Sequence, residues 1–423
     1  MTKEILFLVI LLATSIAYGS DGRVVDAKTY AAISEATVTI GSEVAVTNSS
    51  GHFSYKDTSK SVMARAPGYL AAQVSTGDLQ KSGGNLQLTP FLPHAVYLTV
   101  YGVGSSTLRG GVLALARAGR INALVIDLKG DRGFIPYPSK IPLAQKAGAR
   151  TLTTIRDLST LATQLHQAGI YAIARIVVFK DNPLATARPD LAVKRFDGSL
   201  FRDREGLAWV DPFQPEVRAY NIAIAIEAAR AGFDEVQFDY VRFPDVAQKL
   251  RFAQTPTEEL RIQAIDRFLS EAHEALIAYN VFLGVDIFGY VCWNTNDTGI
   301  GQHLENILPL VDYLSPMVYP SGYKHGIPGC PAPVAHPYEV VRNTLENAHQ
   351  RGVSPIRLRP WLQGFRDYAF DRRSFGPTQV KEQIRAARDF GSDGWMIWNP
   401  NNRYEGLGLE VSDPASAKSQ MTQ

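Results

Sequence analysis

The chain has 423 residues, 45% of them hydrophobic, which is enough to bury a large core. Its 43 basic and 41 acidic side chains leave a formal net charge of +2. No basic stripe or acidic tail interrupts that balance, so nucleic acid and anionic membrane surfaces are not expected as partners.

At the N-terminus, four residues precede an apolar run over residues 5–17, and Tyr18, Gly19 and Ser20 follow it. A short polar start, a brief apolar run and a small-residue end read as a signal peptide over residues 1–19; a retained membrane anchor is the weaker alternative, because the run is short for a span. The reading predicts a secreted or periplasmic protein with no integral membrane segment after signal removal. Only two cysteines follow, Cys292 and Cys330. An oxidising compartment permits a disulfide between them; two buried free thiols are the alternative.

Residues 20–92 read as all-β. Ala36, Val38 and Ile40 alternate with polar residues, and Asn48-Ser49-Ser50-Gly51 is turn chemistry between two short strands. Gly22 and Val24, the Ala36-Val38-Ile40 alternation, Thr47 with Gly51 and Phe53, and Ala66-Pro67-Gly68-Tyr69 together resemble the carboxypeptidase regulatory-like β-sandwich. That resemblance implies an accessory module without chemistry of its own.

From residue 93 to 412, strand-like and helix-like segments alternate. Apolar strand-like runs fall near residues 96–101, 121–128, 170–179, 235–239, 282–288, 311–319, 356–362 and 394–398. Helical patterns at 155–168, 215–231, 257–278, 304–310, 338–350 and 380–390 separate many of them. Alternation of this kind predicts a parallel sheet, and eight units fit a closed barrel better than an open sheet. Neither a Gly-x-Gly-x-x-Gly turn nor a P-loop follows the early strands, so an open dinucleotide-binding fold is not expected. The predicted fold is therefore α/β: a (β/α)8 TIM barrel preceded by a small all-β sandwich, with residues 413–423 as a flexible tail.

One stretch organises the barrel, residues 232–244, with the sequence GFDEVQFDYVRFP. Gly232 closes a helix that Pro215 opens. Period-two alternation then sends Val236 and Phe238 toward the helices, and Glu235, Gln237 and Asp239 toward the barrel interior and mouth. Barrels keep their chemistry at the C-terminal strand ends. Gathered there are Asp127, Lys129, Arg175, Asp239, Arg242, Asp286, Tyr319, Trp361, Gln363, Trp398 and Asn399.

A rim of carboxylates, Arg, Tyr and Trp suits a glycan. Glycosidic hydrolysis needs one acid to protonate the leaving oxygen and one carboxylate for the opposite face of the sugar. Asp239 and Asp286, on adjacent strands, form the expected pair. Asp239 is nucleophile or base, held ionised by Arg242 and Tyr240; Asp286 is the acid, kept neutral by flanking Val285, Ile287 and Phe288. Glu235 is the rival for the second role but lies deeper. Trp361 and Trp398 are expected to form a sugar-stacking platform, with core packing as the alternative for each. Asp127, Lys129, Arg175, Glu235, Gln237, Arg242, Tyr319, Gln363 and Asn399 complete the expected substrate contacts. The plainer alternative for Asp127 and Asp181 is a rim carboxylate satisfied by Lys129, Arg175 or Arg242. The eight His make no ligand-spaced cluster, so neither a metal nor another cofactor is expected.

Residues 233–244 (FDEVQFDYVRFP), 174–181 (ARIVVFKD), 315–320 (SPMVYP) and 359–363 (RPWLQ) resemble the blocks of a bacterial glycoside hydrolase domain family placed among TIM-barrel glycosidases. More distantly, residues 233–241 resemble the fourth strand of chitinase-like barrels, whose motif ends in a catalytic Glu. Val241 stands at that position here, so the resemblance does not carry the chitinase acid across. The resemblances imply a hydrolase of an extracellular or cell-wall polysaccharide. A non-catalytic glycan-binding barrel is the alternative that Val241 keeps open.

Overall fold

The structure is a computed structural model that describes residues 20–56 and 60–411. The signal-peptide reading of residues 1–19 and the tail reading of residues 413–423 lie outside the described residues.

Among the described residues, seven strands make the N-terminal unit: β1 (Ser20–Asp26), β2 (Thr37–Ile40), β3 (Glu43–Val46), β4 (His52–Tyr55), β5 (Ser61–Arg65), β6 (Ala72–Ser75) and β7 (Asn85–Leu88). They form two sheets, ordered β4-β1-β7 and β3-β2-β5-β6. Val24, Val38, Ile40, Phe53, Val62 and Leu86 fill the space between them. The edge strand β6 escapes sequence reading because its side chains alternate only between half-buried and exposed, without an apolar face to mark it.

Eight parallel strands follow and close into a barrel: β8 (His94–Leu98), β9 (Ala123–Lys129), β10 (Tyr171–Val177), β11 (Glu235–Asp239), β12 (Phe282–Phe288), β13 (Tyr313–Met317), β14 (Trp361–Gln363) and β15 (Trp395–Trp398). The expected (β/α)8 barrel is thus the observed one. Pro215 occupies the first turn of the helix Pro215–Ala231, and Gly232 ends it in the left-handed region at φ 94°. The chain then enters β11 with its faces sorted as the alternation requires. Phe238 packs outward against Phe268, ring centroids 4.9 Å apart, while Glu235, Gln237 and Asp239 are buried on the inner side. Burying a Phe side chain of this kind stabilises the fold by about 2–3 kcal/mol.

The sandwich covers the N-terminal end of the barrel. Leu70 and Phe91 pack onto the interior cluster of Tyr171, Phe282 and Tyr313, and the Gly68 amide donates to the Tyr313 hydroxyl at 3.1 Å. Arg65 pairs with Asp312 at 3.4 Å beside this contact. With that end closed, the opposite end, where the strands finish, is the open one. Among the described residues, no helix is long and apolar enough to cross a membrane.

The disulfide is not formed. Cys292 and Cys330 are free buried thiols that pack into different apolar clusters. Cys292 belongs to the shell between strands and helices; Cys330 sits with Tyr323, Ile327 and Val340. Burial pushes the Cys292 thiol up to about 12, so it stays protonated and unreactive.

Candidate active site

Register places a single arginine at the centre of the open end. Arg175 on β10 lies beside Asp127 on β9 and Gln237 on β11. Its guanidinium donates to Asp127 Oδ1 at 2.6 Å, to Asp131 Oδ1 at 2.8 Å, and through Nε to Asp239 Oδ2 at 3.0 Å. The same Nε is 4.0 Å from Asp286 Oδ2, so one guanidinium reaches both carboxylates of the expected pair. The guanidinium carbon also stands 4.7 Å from the Trp398 ring and 5.4 Å from that of Tyr97, a cation–π setting that fixes its position.

Asp239 is held from two sides. Arg175 binds Oδ2, and the Tyr240 amide donates to Oδ1 at 2.5 Å. Tyr240 adopts φ 52°, a left-handed conformation that costs a non-glycine residue about 1–2 kcal/mol and turns that amide back onto the carboxylate. Arg242, expected to hold Asp239, acts on it only at a distance and forms no ion pair with it; Arg175 is the direct partner because its register brings it alongside.

Asp286 is only 1% exposed. Burial drives its carboxyl well above the ordinary range, and the neighbouring Asp239 charge drives it further; Arg175 and the Trp361 bond only partly oppose this. Both effects favour its neutral form over the charged one. The flanking apolar residues matter less than expected, because Val285 and Ile287 belong to the outer shell of the barrel. Trp361 Nε1 donates to Asp286 Oδ1 at 2.7 Å.

Asp239, Asp286, Arg175, Arg242, Tyr319, Trp361 and Trp398 all line one cavity of about 510 Å³ at this end of the barrel. The other expected contacts lie elsewhere. A register shift between β9 and β10 turns Lys129 out of the barrel, where it donates to Asp181 and Asn221, both at 2.7 Å. Glu235 sits deeper, bound by Arg359, which also binds Asp393; it is a buried structural ion group and no rival to Asp286. Gln237 donates to Ser315 Oγ at 3.0 Å inside the barrel. Gln363 is fully buried among Ser321, Gln383 and Phe365, and Asn399 pins the Gly364 and Arg403 carbonyls. Asp127 is the satisfied carboxylate of the plainer reading, bonded to Arg175 and to the Tyr97 hydroxyl at 2.6 Å. Asp181, bonded to Lys129, is another.

The stacking platform also needs correction. Trp361 is 1% exposed and offers no open face. Trp398 is half-buried and stacked on Tyr97 at 3.9 Å. Accessible aromatic surface comes instead from Phe365 and the 48%-exposed Tyr368, which stack on each other at 6.2 Å beyond β14. Sequence reasoning passed over these, and over Asp131, Arg204 and Glu205, which also line the cavity. Asp131 had a readable signal, since it follows the end of β9 by two residues. Arg204 and Glu205 had none, because their loop carries no periodic pattern.

Val241 is fully buried, so the position of the chitinase acid is filled with core. No curated protein matches the chain significantly. Among solved structures, a hypothetical protein from Ruminiclostridium thermocellum is 38% identical over 45% of this chain and 96% of its own, with a TM-score of 0.41. The glycoside hydrolase domain of PgaB (BpsB) from Bordetella bronchiseptica is 15% identical over 78% of this chain and 98% of its own, with a TM-score of 0.55, a likeness of fold. A chitinase from Chromobacterium violaceum is 13% identical over 78% of this chain and 99% of its own, with a TM-score of 0.45. A family model matches residues 95–404, which is the whole barrel from within β8 onward. The chain belongs to the family described as putative glycosyl hydrolase domain.

Proposed function

We propose that this glycosidase cleaves the glycosidic bonds of an extracellular or cell-wall polysaccharide with Asp286 as general acid and Asp239 as nucleophile or base. The observation that carries the reading is the unlike state of two neighbouring carboxyl groups: Asp286 is buried and held toward its neutral form, while Asp239 is ion-paired with Arg175. An acid and a carboxylate set apart by environment are what glycoside hydrolysis requires. Trp361 occupies Oδ1 of Asp286, so the transferable proton is assigned to Oδ2, the oxygen on the Arg175 side. As the leaving oxygen takes that proton, Asp286 becomes charged beside Arg175, which offsets part of the cost. Asp239 then faces the sugar carbon directly or through a water.

The test is release of reducing ends from a panel of polysaccharides by the purified protein, with Asp239→Asn alongside. Release by the wild type that vanishes in the variant supports the reading. Binding of a glycan with no release from any member of the panel would favour the glycan-binding barrel instead.

A further inference from the structure

We propose that the cavity takes an acidic glycan, one whose sugars carry carboxylate groups, recognised by Arg204 and Arg242. The sugar part of this inference rests on the glycosidase reading; the carboxylate part rests on how the charges in the cavity are matched.

The acidic groups of the cavity are already engaged. Asp131 and Asp239 bind Arg175, Glu205 binds Lys180 at 2.9 Å, and Asp286 is hydrogen-bonded to Trp361. Of the basic groups, Arg175 is engaged as well, while Arg204 and Arg242 are not. Among the described residues, neither Arg204 nor Arg242 forms an ion pair. Arg242 is packed between three rings, with its guanidinium carbon 4.9 Å from Trp209, 4.9 Å from Tyr240 and 4.6 Å from Phe288. Nη1 donates to the Phe243 carbonyl at 3.1 Å, the one hydrogen bond of this side chain among the described residues. Three acidic groups act on it, Asp239, Asp245 and Asp203, but none forms an ion pair with it: Asp239 is bound by Arg175, and Asp203 accepts from Trp209 Nε1 at 3.0 Å and lies 3.6 Å from Lys180.

A half-buried guanidinium held in place by aromatic faces, with its remaining donors unspent, is a preorganised carboxylate receptor. Its planar fork matches both oxygens of a carboxylate, and the cost of burying the cation is already carried by the fold. Arg204 supplies a second, exposed cation at the mouth. It sits on a tight turn in which Asp203 Oδ1 accepts from the Glu205 amide at 2.9 Å and the Leu207 amide at 3.1 Å. Tyr368 lies close enough to feel the Arg204 charge. The mouth thus pairs a cation with the stacked Phe365 and Tyr368 rings, suited to a sugar ring that bears a carboxylate.

The experiment measures binding calorimetrically to the full chain carrying Asp286→Asn, which preserves a neutral group at that position and prevents turnover. The probes are an oligogalacturonate, an oligoglucuronate, the carboxyl-reduced form of each, and a sulfated neutral oligosaccharide. At least one uronate is expected to bind about tenfold more tightly than its reduced form, the worth of one charge-assisted bond. That preference should shrink to about threefold or less with Arg242→Gln and with Arg204→Gln added. Arg204 is exposed, so its variant keeps the test valid if the Arg242 variant does not fold. No preference for any uronate, or a preference unchanged by the variants, overturns the inference, and so does equal binding of the sulfated probe. A uronate preference without bond cleavage by the wild type sinks the hydrolase reading alone; cleavage of neutral glycans without a uronate preference sinks this inference alone.

Discussion

The indole N–H of Trp361 donates to Asp286 Oδ1 at 2.7 Å, from a position on β14 that is itself almost fully buried. This contact fixes the carboxyl and lowers its proton affinity against the larger upward drive of burial and Asp239. It assigns Trp361 to positioning the acid, where its sequence context pointed to sugar stacking.

Trp361→Phe tests that assignment. The ring volume is nearly kept, so the fold should survive with a loss of about 1–3 kcal/mol from the unpaired carboxyl oxygen. Removing the N–H lets the Asp286 proton affinity rise further. The alkaline limb of the pH–rate profile should therefore move to higher pH. A limb that stays in place while turnover falls would show that Trp361 acts only through packing.

Arg175 gathers three carboxylates and approaches a fourth. Arg175→Ala should cost about 3–5 kcal/mol at neutral pH, because buried charges lose their partner. The loss should lessen on acidification. Asp127 already shows the sign: burial above all raises its carboxyl from 3.8 to about 7 in the fold. Its stabilising contribution is complete below 3.8 and is lost as pH rises through about 7. Denaturant unfolding of the variant from pH 4 to pH 8 checks this; a variant whose deficit grows on acidification would contradict it.

His94 gives an opposite pH signature. It stacks on Trp395 with ring centroids 4.9 Å apart, and burial lowers its imidazole from 6.5 to about 4. The stability it contributes is complete above 6.5 and is lost as pH falls through about 4. The wild type should lose on the order of 3 kcal/mol from this group across that window, and His94→Phe should not. Parallel acid titrations of Tm for the two proteins would refute the assignment.

Much of this was legible in the residues. Alternation at Val236, Phe238, Glu235, Gln237 and Asp239, framed by Pro215 and Gly232, marked a barrel strand and its polar face, because burial on one side and chemistry on the other leave a period of two. Asp239 and Asp286 followed from their places at the end of and within adjacent strands, while Arg175 was expected only as a carboxylate partner or substrate contact. What sequence cannot carry is register. Lys129 leaves the barrel through a shift of pairing between β9 and β10, and Gln363 is drawn into a buried network by residues far along the chain. Arg175 replaces Arg242 as the partner of Asp239 for the same reason: proximity across strands is set by stagger, and stagger has no local signal.

The central claim, that Asp286 gives the proton and Asp239 supplies the carboxylate, is tested most directly by varying the leaving group. On a glycan that the wild type cleaves, Asp239→Asn and Asp286→Asn should each lose several orders of magnitude in turnover while remaining folded. On a glycoside of the same sugar with an acidic phenol as leaving group, no proton is needed for departure. Asp286→Asn should then recover to within about a hundredfold of the wild type, general acid catalysis being worth about 10²–10⁴, while Asp239→Asn stays inactive. Recovery by Asp239→Asn in place of Asp286→Asn, or near-normal turnover of the natural glycan by either variant, would contradict the account.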